Sequence, residues 1–210
     1  MIELFGSVLA TFLVIIDPPG CAPIFASLTR GASNAERRVM AIRSSLIAWA
    51  ILMFFGLLGR PMLHALGISL ASFRIAGGVM LFMIALDMVF ERRTQRRENR
   101  AHEIEGTPEA EDISVFPMAI PMIAGPGSIA SAMLWVSRAE NPAQIATILA
   151  AISVVIVLTL LALLAAGPIM RLVGEKLEAM ITRILGVILA ALAAQFIVDG
   201  LKQSFPAVLT

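Results

Sequence analysis

Residues Phe12 to Phe25 read FLVIIDPPGCAPIF, an acid, three prolines and a glycine set inside an apolar run from Leu4 to Leu28. Proline removes an amide donor and clashes with the preceding turn, so it breaks a helix interior. A carboxylate in such a run is costlier still if the run lies in lipid. The stretch therefore marks an interruption in a membrane-spanning helix.

The composition supports a membrane setting. Hydrophobic residues make up 59% of the 210, charged residues only 15%, and the mean hydropathy is +0.89. Too little polar surface remains to cover a globule in water, which predicts an all-α integral membrane protein. The net charge of +1 is confined to short gaps between apolar runs, a pattern that disfavours nucleic acid as a partner. Cys21, the single cysteine, cannot form an internal disulfide. PPGC is set aside as a lipoprotein site, because Pro18 stands where leucine is usual and the apolar run continues past Cys21. The first segment is expected to remain as a transmembrane helix.

Six apolar stretches are about 20 residues or longer, the length that crosses roughly 30 Å of hydrocarbon. They run from Leu4 to Leu28, Val39 to Leu63, Ile68 to Phe90, Val115 to Val136, Ile145 to Met170 and Ala179 to Leu201. Gly31 reads as a stop and Ser33 or Asn34 as a helix cap; Gly59-Arg60-Pro61, the gap from Arg138 to Gln144 and the AAGP ending at Pro168 read as further boundaries. With alternating gaps, twelve basic residues fall on one side, and Arg60, Arg74, Arg138 and Lys202 on the other. The positive-inside rule makes the richer side cytoplasmic and predicts that both termini are periplasmic. Residues 91–114 are polar and without apolar periodicity, and read as a disordered cytoplasmic linker.

That linker separates two similar halves, 1–90 and 115–210. Pro19-Gly20 recurs as Pro126-Gly127, and PMLHALG from Pro61 as PIMRLVG from Pro168, both at an offset of 107. RIAGGV from Arg74 recurs as RILGVI from Arg183 at an offset of 109. Each half holds three spans, an odd number, so the second enters the membrane from the opposite side. Two inverted three-helix repeats are expected, the plan of many secondary transporters.

The first and fourth spans are both expected to be broken. Pro117, Pro121 and Gly125-Pro126-Gly127 fall where Pro18, Pro19, Gly20 and Pro23 fall in the first half. Backbone groups freed in lipid must be satisfied by protein, water or ligand. Half-helix N-termini near Cys21 and Ser128 would aim amides at a shared midplane cavity, and carbonyls before each break could hold a cation. A zwitterionic small molecule suits both ends. Proline kinks packed against neighbours are the plainer alternative.

Asp17 either accepts a proton, coordinates Na⁺, holds a substrate ammonium or caps the half-helix after it. Its counterpart is Ala124. Arg74 and Arg183 lie about a turn inside the third and sixth spans, where they either snorkel or act as gates or carboxylate contacts. Asp87 and Gln195 face the cavity or bond a neighbouring helix. Gly77, Gly78 and Gly186, with Ala190, Ala191, Ala193 and Ala194, read as surfaces for close helix packing.

IDPPGCAPIFASLT (Ile16 to Thr29), FRIAGGVMLF (Phe73 to Phe82) and FPMAIPMIAGPGSIA (Phe116 to Ala130) together resemble the MarC family of bacterial inner-membrane proteins. The resemblance covers the whole chain. It implies six spans, a relation to the amino acid exporters of the LysE group, and transport of small neutral amino acids, the activity described for some members. The expected function is secondary transport by alternating access, driven by H⁺, Na⁺ or the substrate's own gradient. A channel, a structural membrane protein or an exporter of drug-like compounds is the alternative. An enzyme is disfavoured: His102 lacks a second histidine at zincin spacing, no phosphate loop is present, and neither Asp17 nor Asp87 has an aspartyl-protease setting. His64 and His102 are expected in solvated loops, with no metal site and no cofactor. Lipid, the transported solute and further copies of the chain are the expected partners.

Overall fold

The computed structural model describes residues 1–29, 31–90 and 112–205, and of 167–179 and 181 the backbone alone. Every regular element among the described residues is helical. The linker assigned to 91–114 and His102 thus lie almost wholly outside the described residues.

The first span is two helices in line, α1 (Ile2–Ile16) and α2 (Pro18–Leu28). Asp17 alone separates them, at φ 57° and ψ 68°. A residue before proline is driven out of the right-handed helical region, and aspartate is among the few side chains that tolerate the left-handed one. Pro18 and Pro19 then open α2, where their missing amides cost nothing.

α3 (Asn34–Ala65) starts at Ser33, whose hydroxyl accepts from the Glu36 amide while Glu36 accepts from the Ser33 amide at 2.7 Å, a reciprocal capping box. It continues through Gly59-Arg60-Pro61, where the sequence predicts a boundary, and ends before Gly67, at φ +68°. His64 correspondingly sits, exposed, on the last turn of a helix and not in a loop. Gly59 makes room for another helix: a methyl group there would lie 2.5 Å from Met133 Cγ.

α4 (Leu70–Val89) completes the first half. In the second half, α5 (Ser114–Ile123) is irregular and wide, with i to i−5 hydrogen bonds from Met118 to Ile113 and from Ala124 to Ala119. Phe116 and Ile120 are extended because each precedes a proline, and both peptide bonds are cis. α6 (Pro126–Ser137) meets α5 at 55°. The fourth span is therefore bent by more than 40° at its break, and the first is not.

α7 (Pro142–Leu164) is capped by Asn141, and α8 (Ala166–Ser204) follows after a single residue. The fifth span thus ends six residues before the expected Met170, and the polar stretch 171–178, expected as a loop, is the beginning of a 39-residue helix. Glu175, Lys176, Leu177 and Glu178 are all strong helix formers.

The halves interlock. The α1–α2 span packs on α7 and α8, and the α5–α6 span packs reciprocally on α3 and α4. α4 and α8 run antiparallel along their length. Methyl groups on Gly78 and Gly200 would each lie 2.9 Å from a carbonyl oxygen, of Ala193 and Ala71, and one on Gly186 would lie 3.1 Å from that of Ala85. Such backbone approach is the means by which helices associate in lipid, where burial supplies little drive. The first span is far more enclosed than the unbroken ones, 72% buried over its most apolar window against 28–39%, and the α5–α6 span is mostly buried too. Outward faces carry exposed Leu46, Phe54, Leu57, Leu161 and Ile188, which suits lipid.

Candidate functional site: two helix breaks and a basic cavity

At the first break Asp17 serves both helices. Its amide donates to the Leu13 carbonyl and its carbonyl accepts from the Cys21 amide, both at 3.0 Å. Oδ1 accepts from the Gly20 amide at 3.2 Å, so the carboxylate caps α2. The side chain is 3% exposed and fills the space a methyl group on Gly20 would need.

The second break has the same outline with different chemistry. Ala124 and Gly125 carry the chain across it, and Gly125 caps α6 without a side chain. A methyl group on Gly125 would lie 2.5 Å from the Pro121 carbonyl oxygen. One residue past each Pro-Gly pair, a side chain bonds back over the break. Cys21 Sγ donates to the Ile16 carbonyl at 3.4 Å, and Ser128 Oγ to that of Ile123 at 2.9 Å. Donors and acceptors are related by the offset of 107 seen in the sequence. Burial matches too: Gly20, Cys21, Gly127 and Ser128 are buried, while Pro19 and Pro126 are exposed. Ile15, just before the first break, is 3.7 Å from where a Gly127 methyl group would stand. The structure therefore brings the two motifs together. Pro18 is buried, and Pro23 and Pro121 are partly so.

A cavity of about 840 Å³ opens at one end of the bundle. Arg60, Arg74, Arg138 and Lys202 line it, the same four residues that the alternation of spans assigns to the less basic side. Glu140 and Asp199 lie among them. Arg138 ion-pairs with Asp199, and its guanidinium lies 4.5 Å from the Phe196 ring centre and 5.6 Å from that of Trp135. Burial lowers the Arg138 pKa, Asp199 opposes this, and the like charge of Arg74 lowers it further. Arg74 donates through Nη1 to Gln203 Oε1 at 2.8 Å, and its buried Nε has no partner among the described residues.

Of the other sequence candidates, Gln195 is exposed and donates to Asp199 on its own helix at 2.7 Å, not across to a neighbour. Asp87 is half-buried on α4, and Arg183 is exposed on α8. Neither lines the cavity. Arg138, Asp199 and Gln203 were missed as site residues. Their signal was Arg138 beside a span end with an acid, Asp199, a turn inside the last one. Among the described residues, no group of three or more His, Cys, Asp or Glu side chains gathers as a metal site would require.

A family model described as MarC family integral membrane protein matches residues 2–205. The UPF0056 membrane protein MJ1677 of Methanocaldococcus jannaschii is 35% identical over 96% of this chain and 97% of its own length. UPF0056 membrane protein YvbG of Bacillus subtilis is 32% identical over 98% of both chains. YhcE of Escherichia coli K12 is 34% identical over 93% of this chain and 90% of its own. No solved structure matches the chain.

Proposed function

Because this chain belongs to the MarC family of integral membrane proteins, we propose that it is a secondary transporter. It moves a small neutral amino acid or similar small metabolite across the inner membrane by alternating access. The site is the pair of helix breaks, formed by two inverted repeats, 1–90 and 115–210. Both termini are periplasmic.

One observation carries the reading. Two spans are broken at equivalent points, and each break is closed by an equivalent hydrogen bond, from Cys21 and from Ser128. Broken helices at the repeat interface are where secondary transporters bind substrate and coupling ion. Reciprocal packing of each broken span on the opposite half supports motion of one half against the other. Asp17, buried at the break, is the coupling group for H⁺ or Na⁺ or the partner of a substrate ammonium. No enzymatic step is assigned.

A ligand that binds the folded state raises its stability by mass action. In detergent, alanine, serine or glycine at concentrations well above Kd should raise the unfolding temperature, with the gain lost in Asp17→Ala. No shift with any neutral amino acid would count against the assignment.

A further inference from the structure

We propose that the basic cavity is an oxyanion site, distinct from the helix breaks, which takes the carboxylate of a small solute between Arg74 and Arg138. Four cations and two carboxylates line the cavity, so its charge balance is positive. A cleft lined by one sign of charge concentrates ions of the other. The cations are not used up by the fold. Only Arg138 has an ion-pair partner among the described residues, Asp199. Arg74 spends one donor on a neutral amide and leaves its buried Nε unmatched. A buried donor without a partner in a native protein asks for one. A guanidinium edge offers two parallel donors, the shape a carboxylate or phosphate accepts.

Arg138 is held ready on the other side. The rings of Trp135 and Phe196, nearly perpendicular at 83° and 6.2 Å apart, fix its guanidinium, so little side-chain freedom is lost when it binds. Asp199 limits the choice of ligand. It discourages a multiply charged anion and leaves room for a single carboxylate. The phosphate of a lipid headgroup offers related chemistry at a membrane surface, and the test separates it.

Isothermal titration calorimetry on the full chain in non-ionic detergent uses propionate, ethylamine and inorganic phosphate as probes. Propionate should bind at one site and ethylamine should not. Arg74→Gln should weaken propionate at least tenfold, and Arg74→Lys should restore only part because it keeps the charge and loses the fork. Raising salt from about 0.05 to 0.5 M should weaken binding several-fold through screening. If Arg74→Gln does not fold, Arg60→Gln is the second variant, with propionate about threefold weaker. Equal binding of ethylamine, or propionate affinity unchanged in these variants, overturns the proposal. So does binding of phosphate without propionate, which would give the site to a phosphate group. The probes lack an ammonium and the readout is not flux, so a protein that fails to transport amino acids can still pass, and a transporter can still fail.

Discussion

The Cys21 thiol and the Ser128 hydroxyl, 107 residues apart, make the same hydrogen bond to the carbonyl five residues earlier, Ile16 in one half and Ile123 in the other. Each closes a helix break by satisfying a carbonyl that the break would leave exposed to an apolar interior. A thiol is the weaker donor. Cys21→Ser should therefore leave apparent stability unchanged or slightly raised. Ser128→Ala should cost about 1–3 kcal/mol, because a buried acceptor loses its partner. Thermal unfolding in detergent checks both, and a neutral Ser128→Ala would deny the equivalence.

Asp17 combines a left-handed backbone with a cap, and the two functions separate by substitution. Asp17→Asn keeps an acceptor oxygen and a side chain that tolerates positive φ, so stability should fall by less than about 1 kcal/mol. Asp17→Val should cost more than about 2 kcal/mol through strain and loss of the cap. Gly20→Ala should also destabilise, since its methyl group would run into the Asp17 carboxylate. Unfolding temperature and recovery of monodisperse protein report all three.

The α4–α8 contact depends on backbone approach. Gly186→Leu would drive a side chain against Met88 Cβ and the Ala85 carbonyl, at 2.9 and 3.1 Å from its Cβ. Overpacking of this kind costs about 1–3 kcal/mol or more. Gly6 has nothing within 4 Å of an added methyl group, so Gly6→Ala is the matched control. Folded yield should drop for the first and hold for the second.

Hydrogen bonding from Ser114, aided by the Arg43 guanidinium, holds the Asp112 carboxyl below its usual 3.8. A depressed carboxylate stabilises the fold above its unfolded pKa and loses that contribution as pH falls through the folded value. Wild type should therefore exceed Asp112→Asn in stability at neutral pH, by under about 1 kcal/mol for so exposed a pair. The gap should begin to close as pH falls below about 4 and shrink further with added acid. A gap that keeps its full size through that fall would mean that charge is not its source.

Local chemistry was readable in advance where one residue decides it. The Ser33 cap and the interruption at Asp17-Pro18-Pro19 each follow from a few adjacent side chains. Boundaries set by packing were not. Gly59 reads as a stop but admits Met133 against α3, and the charged start of α8 reads as a gap because hydropathy outweighs helix propensity in such a reading. The residues at both breaks were identified from the sequence, and the structure places Ile15 3.7 Å from where a Gly127 methyl group would stand. The cavity was not, because Arg74, Arg138 and Asp199 come from the start of α4, the end of α6 and the last turns of α8. No local spacing relates them.

The central claim is transport through the two breaks, and counterflow measures it most directly. Proteoliposomes loaded with unlabelled alanine, serine or glycine should accumulate the labelled amino acid saturably. Asp17→Ala should abolish the accumulation, and a variant that alters only the lipid-facing surface, such as Leu161→Val, should not. Non-saturable flux, or no accumulation with any of the three, would contradict the account.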